Sequence, residues 1–362
     1  MNGAKAVGPV AIPSLIAVAR TRGASDVHLD PQRGVAFRIN TQIEPCRGVA
    51  VSADIVQTFL DDVLDLSARA RFEATGQIDA TIDTPTTGPL RIHASHGRRG
   101  SRLAIKLLAD SVPSLRELGL PPSIGSLVEL PAGLVLITGP PNSGKSTTLA
   151  TLIDHINQTR SMHIVLIEES TEHFHCWHRS VVTQLEVGHN IESLLAGIRG
   201  ALRADADVLV IQDLHGAHVA SAAVQAAEAG HLVIAAVRSP SETVTAVNRI
   251  VSLFSIDEQE PIRHRLAESL RAIVALRLLP ARGGRSVRAA AELLIVTDAI
   301  RRLFRDGATH QIRSLLTTSL KDGSQTLERH LNELIAAGEV TLGEARAVAN
   351  YPSEIVGVDR GK

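Results

Sequence analysis

Apolar positions recur with two different periods along this chain of 362 residues, and the change of period predicts a change of architecture. From about residue 10 to about 115 the pattern is mixed. Residues 12–20 carry apolar side chains at helical spacing, 27–29 and 35–39 read as short strands, and 54–71 reads as a second helix. Residues 78–82 and 90–94 then alternate apolar with polar, the period of a half-buried strand, and 102–107 follows as another. This stretch predicts a small α+β domain.

From about 130 to 290 short continuous apolar runs alternate with helical segments. The predicted strands are 134–137, 164–167, 208–211, 232–236 and 272–278, with a further short one at 181–185. That order predicts an α/β domain with a mostly parallel sheet covered on both faces. Residues 113–122 mix prolines with glycine and read as a connector, and Gly283-Gly284 reads as a hairpin tip or loop. Beyond about 296 the chain reads as helices at 299–305, 312–318, 327–337 and 342–349. The predicted domains are therefore 1–115, a linker at 116–128, 129–295 and a helical region at 296–362.

The chemistry is most explicit at Gly139, Pro140, Pro141, Asn142, Ser143, Gly144, Lys145 and Ser146, a full G-x-x-x-x-G-K-[ST] phosphate loop. It follows the predicted strand 134–137 and precedes a helix that begins near Thr147. A strand delivers the chain into a tight turn where backbone N–H groups converge, and the next helix points its positive end at the same spot. Such a loop holds the phosphates of a nucleotide. Lys145 would reach the β- and γ-phosphates, and the Ser146 hydroxyl would take one position on a Mg²⁺ ion that bridges them. Strand and helix alternation puts the loop at the carboxyl end of its strand, where sheets of this type bind ligands.

Hydrolysis needs carboxylates near the loop as well. Glu168 and Glu169 follow the strand 164–167 with Glu172 three residues on, and Asp213 follows 208–211. Each would otherwise be a solvated loop residue or a helix cap. Composition narrows the rest. Hydrophobic content of 44% and charged content of 21% predict a folded protein, and a formal charge of −1 with 2% aromatics gives no basis for nucleic-acid binding. Two cysteines, Cys46 and Cys176, exclude a four-cysteine zinc module and fit a reducing compartment. The absence of a leader-like start and of an 18-residue apolar run leads to the expectation of a cytoplasmic protein. His173, His175, Cys176 and His178 beside Glu172 have donor types that suit zinc, but neighbours on an extended segment point opposite ways, which favours an ordinary loop with a partly buried Trp177.

Several segments agree in order and spacing with one family. The run from Gly133 through the phosphate loop to Ala150 resembles the PilT family of pilus-retraction motors, within the secretion ATPase superfamily. Gly23-Ala24-Ser25-Asp26-Val27-His28-Leu29 is similar to its opening G-A-S-D motif, and Ala226-Ala227-Glu228-Ala229-Gly230-His231-Leu232-Val233 to its A-A-E-T-G-H-L-V. Ala299-Ile300-Arg301-Arg302-Leu303-Phe304-Arg305-Asp306 is similar to the C-terminal A-I-R-N-L-I-R-E of the retraction branch. The missing four-cysteine module argues against most assembly or type II secretion relatives.

The resemblance implies a PAS-like N-terminal domain, a RecA-like motor domain and a ring of six subunits with ATP and Mg²⁺ between the domains. Its functional positions fall on Glu168, Glu169 and Glu172 as the acidic box, on Asp213 as the second acidic motif, on His231 as the first histidine, and on Arg91, Arg99 and Lys106 as N-terminal cations. It also implies an inner-membrane pilus platform as partner and peripheral attachment there. The departures are specific. Glu169 and Ser170 replace Asp and Pro of the acidic box, Gln212-Asp213 replaces Gly-Glu, and Arg238 stands at the second histidine position. These changes open two alternatives: a hydrolysing motor, or a nucleotide-binding structural subunit that joins an active motor in a mixed ring. For Arg238 they leave a new cation near the γ-phosphate or a partner that silences Asp213.

Overall fold

The change of apolar period along the sequence is a change of sheet type in the fold. The structure is a computed structural model that describes residues 10–356 apart from 40, 41, 110, 240, 241, 284, 285 and 319–321. It divides into two units: residues up to Ser111 together with Thr171–Phe174, and the remainder.

The first unit holds an antiparallel sheet in the order β3-β2-β1-β6-β5-β4. Its strands are β1 (Ala24–Asp30), β2 (Gly34–Ile39), β3 (Gln42–Pro45), β4 (Gln77–Thr84), β5 (Gly88–Gly97) and β6 (Gly100–Leu107). Three helices, α1 (Ile12–Thr21), α2 (Ala53–Val63) and α3 (Leu66–Thr75), share its core. In α1 the buried residues Ile12, Leu15, Ile16 and Ala19 follow helical spacing, as the sequence predicts. Arg20 closes the helix by donating to the carbonyls of Thr87, Pro89 and Leu108 at 2.9–3.1 Å. The single helix expected over 54–71 is two. Leu64 is extended and Asp65 caps the next helix by accepting from the Ala68 N–H at 2.7 Å, so a local cap overrides the apolar period. The short edge strand β3 has no apolar alternation and was not expected from the sequence.

The second unit begins with two single turns, α4 (Leu115–Leu118) and α5 (Pro122–Gly125), inside what reads as a plain connector; a Ser114–Glu117 capping box explains α4. A seven-stranded sheet follows in the order β13-β12-β7-β11-β10-β8-β9. Its strands are β7 (Gly133–Gly139), β8 (His163–Glu168), β9 (Val181–Glu186), β10 (Val208–Ile211), β11 (Leu232–Arg238), β12 (Leu270–Pro280) and β13 (Val287–Ile295). Strands with neighbours on both sides and helices on both faces must be apolar throughout. Every residue of β7 and β10 is buried. The expected parallel sheet is present from β12 to β9, while β13 turns back antiparallel to β12. Arg282 and Gly283 lie in the turn before β13, and Gly284 lies outside the described residues.

Helices α6 (Lys145–Thr159), α7 (Leu194–Arg203), α8 (Ala217–Glu228), α9 (Thr243–Val251) and α10 (Ile256–Ser269) cover the two faces. Then come α11 (Asp298–Arg305), α12 (Ile312–Thr318), α13 (Leu327–Ala336) and α14 (Leu342–Val348). Leu327, Leu331 and Leu334 of α13 share a core with Leu279 of β12 and Ala290 of β13, so these helices are built onto the hairpin. Among the described residues no helix is long and apolar enough to cross a membrane.

His330 joins α13 to this sheet, with Nδ1 accepting from the Ala291 N–H and Nε2–H donating to the Gly119 carbonyl, each at 3.0 Å. Burial holds its imidazole below the usual histidine range, against the opposing pull of Glu333 and Glu339. The neutral form belongs to the folded chain, whereas the unfolded chain protonates near the ordinary value of 6.5. Unfolded chains therefore bind more protons below that pH, and stability is full above it and falls as the solution is acidified. His330→Gln is expected to be less stable at neutral pH but to lose less in melting temperature between about pH 7.5 and about pH 5.5. Parallel melting curves with equal pH slopes would contradict this.

Candidate nucleotide-binding site

The loop after β7 is shaped by three residues that adopt left-handed or related backbone angles. Gly139 has φ +150°, Asn142 +59° and Gly144 +92°. Asn is among the few side chains that tolerate such a conformation. Gly139 also needs its missing side chain, because a Cβ there would stand 2.7 Å from the Leu276 carbonyl oxygen of β12 and against Ser143. Gly144 caps α6, and the first helical bond runs from the Thr148 N–H to the Gly144 carbonyl at 2.9 Å. The amides of the first turn, including those of Lys145, Ser146 and Thr147, therefore lack helical acceptors and are anion donors by geometry. Lys145 Nζ donates to the Gly139 and Pro140 carbonyls at 3.0 and 2.7 Å, so its ammonium sits within the loop's mouth. Pro140 and the residues Gly144 to Thr147 are half-buried, Pro141 and Asn142 are exposed, and Ser143 is buried.

Strand order brings the acidic groups to the same edge. Parallel β11 separates β7 from β10, with Arg238 opposite Gly139 on one side and the Leu214 N–H bonded to the Ala236 carbonyl on the other. Asp213 thus stands level with the end of β11. Arg238 Nη2 lies 2.7 Å from Asp213 Oδ2, with side chains 67% and 14% exposed respectively. His215 bridges Glu169 at 3.6 Å and Asp213 at 3.9 Å. These groups and Arg249 of α9 line a cavity of about 270 Å³. Of the two alternatives for Arg238, pairing with Asp213 is the one the structure displays. At this exposure the pair contributes at most about 1 kcal/mol.

Glu168 ends β8 at 4% exposure and accepts from the Gln184 amide at 3.3 Å. Glu172, with Thr171, His173 and Phe174, groups with the first unit. Burial, aided by nearby Lys106 and opposed by Glu172, holds the His173 imidazole below its ordinary range. His231 lies apart from the phosphate loop along β11. It precedes β11, its Nδ1 meets the Ala206 carbonyl at 2.7 Å, and its own carbonyl accepts from Gly133, the first residue of β7. That is the amino edge of the sheet, seven residues and about 23 Å of strand from Arg238. The expected N-terminal cations divide as well. Arg91 and Lys106 are direct cross-strand partners, whereas Arg99 lies in the β5–β6 turn, about 20 Å along the strand.

The histidine-rich segment runs as a loop between β8 and β9. Asn157 grips it by donating to the Cys176 carbonyl at 2.6 Å and accepting from the His178 N–H at 3.1 Å. Trp177 donates to the Val182 carbonyl but is 66% exposed, so the expected partial burial is not met. Among the described residues no group of three or more His, Cys, Asp or Glu side chains could hold a metal ion. Sequence reasoning missed His215 and Arg249. His215 follows Asp213 by two residues and had a positional signal; Arg249 had none.

A phosphate loop at the carboxyl edge of a parallel sheet, with carboxylates beside it, defines a P-loop nucleotide-binding protein. The family described as type II/IV secretion system protein matches residues 4–287. The chain is similar to the type IV pilus retraction ATPase PilT of Pseudomonas aeruginosa, 32% identical over 341 residues, 94% of this chain and 98% of that one. It is also similar to a twitching motility protein of Neisseria gonorrhoeae, 33% identical over 296 residues, 82% of this chain and 79% of the relative. The crystal structure of the pilus retraction motor PilT with bound ADP matches with a TM-score of 0.86 and 34% identity, covering 95% of this chain and 98% of that one. The chain belongs to the type II/IV secretion ATPases, in the PilT family.

Gly139→Ala tests the loop. Backbone strain and the clash with Leu276 are expected to remove roughly 2 kcal/mol of stability and to abolish nucleotide affinity. Denaturant titration beside calorimetric titration with ADP checks both, and unchanged affinity would contradict the geometry.

Proposed function

We propose that the chain binds ATP with Mg²⁺ and hydrolyses it slowly, as a motor of a type IV pilus or a related secretion machine. The observation that carries this reading is the loop: Gly139, Gly144 and Lys145 assemble an anion cradle at the carboxyl edge of the sheet. Likeness to a pilus retraction ATPase over nearly the whole chain supports the assignment of the reaction. Lys145 and the amides of Ser143 to Thr147 would bind the phosphates. Ser146 and Asp213 are oxygen donors at the same edge of the sheet, the donor type that suits a hard cation such as Mg²⁺. When bound, that ion supplies charge to the β- and γ-phosphates.

Asp213 and Glu168 are our candidates to orient water, and Glu172 stays a candidate from the resemblance alone. So do Arg91, Arg99 and Lys106 as cations toward the nucleotide. The shorter Asp213, where the family has Glu, draws the carboxylate back by one bond. A misplacement of about 1 Å can lower a rate on the order of 100-fold. Against a median turnover of about 10 s⁻¹, this predicts roughly 0.1 s⁻¹. A second reading, a nucleotide-binding subunit without turnover in a ring with an active motor, is favoured by the Arg238–Asp213 pair at 2.7 Å. In either case we infer a ring of six, peripheral to the inner membrane through the pilus platform protein.

Lys145→Ala is expected to weaken ATP binding at least about 100-fold, since a charge-assisted contact and the cradle's only lysine are lost together. Asp213→Asn is expected to keep binding and lose most turnover. Phosphate release and oligomer mass measured on one sample check both. Wild-type turnover equal to that of Lys145→Ala would end the motor reading and leave the subunit.

A further inference from the structure

Arg238 occupies the strand between the phosphate loop and the carboxylate. Its Cα is paired with Gly139 of β7, one strand spacing away, while its guanidinium lies on Asp213 beyond the opposite neighbour. The two side chains are unequally confined. Asp213 is 14% exposed, whereas the Arg238 side chain is 67% exposed and keeps the freedom to turn on its stem. We infer that Arg238 is an exchange cation, held by Asp213 until a nucleoside triphosphate occupies the loop and its terminal phosphate takes the guanidinium over.

This rests on the ATPase reading above and assigns the residue that tells a triphosphate from a diphosphate. Charge decides the direction of the exchange. A phosphate group offers more negative charge than one carboxylate and accepts the guanidinium fork through two parallel bonds, whereas Asp213 holds Arg238 through one close contact. The cavity also softens the loss for Asp213, because Arg249 on its lining stays when Arg238 leaves. Glu169 completes the charged groups there and is held by His215 at 3.6 Å. The exchange therefore does two things: it adds a permanent cation at the transferring phosphate, and it releases the Asp213 carboxylate to orient water. Arginine stays protonated at every physiological pH, so Arg238 carries its charge in both positions.

Calorimetric titration of the full chain with ADP and with a non-hydrolysable ATP analogue, in EDTA so that no metal intervenes, tests this without reference to turnover. In Arg238→Ala the affinity for the analogue is expected to fall about 10-fold while ADP affinity changes less than about 2-fold. Asp213→Asn should raise analogue affinity, and by several-fold more in the presence of Arg238 than in the Arg238→Ala background. Equal effects in both backgrounds, or an unchanged preference in Arg238→Ala, overturn the exchange while leaving the ATPase reading intact. A wild-type chain that binds neither nucleotide, with or without magnesium, overturns that reading and the exchange with it.

Discussion

Parallel pairing of β11 between β7 and β10 is the constraint on which the site depends. Parallel strands all finish at one edge, so the residue after each strand becomes a neighbour of residues far away in sequence. Gly139, Arg238, Asp213 and Glu168 meet there because four strands end there. None of these residues attracts the others strongly enough to assemble the group. Burial of Leu134 to Ile137, Val208 to Ile211 and Leu232 to Val237 does it, at roughly 1.5–3 kcal/mol for each large side chain. The chemistry is an outcome of a register set by apolar packing.

Charge then distributes unevenly over that edge. The phosphate loop concentrates donors: helix amides and the Lys145 ammonium. One strand over, acid and base meet as Asp213 with Arg238, and His215 links that pair to Glu169. The family resemblance implies a histidine where Arg238 stands, and the structure explains what the change does: a side chain that titrates is replaced by one that always carries charge and already has a partner. The same loop can thus sit beside a differently wired acid.

The sequence revealed what is contiguous and concealed what is assembled. Strands such as β7 and β10 were legible as unbroken apolar runs, and the phosphate loop was legible because backbone within eight residues does its work. β13 was not, since Ala289, Ala290 and Ala291 carry no period and a buried glutamate interrupts the apolar pattern. Glu292 is tolerated there because the Thr243 N–H and hydroxyl both donate to it, at 3.0 and 2.7 Å, while burial pushes its carboxyl above the usual range. The break at Leu64 and Asp65 was hidden because a cap is a hydrogen bond and not a pattern. His231 teaches a different lesson. A residue that precedes a parallel strand must sit at its amino edge, so strand direction alone places His231 at the edge opposite this chain's own phosphate loop.

β12 has two clients. The Leu276 carbonyl and the Leu278 side chain form the wall against which Gly139 and Gly144 lie, and the next residue, Leu279, is packed into the core of α13. The C-terminal helices consequently act as ballast for the nucleotide cradle. A chain shortened before Leu327 would uncover Leu279 and Ala290, slacken that wall, and lose grip on phosphate through residues that never come near it.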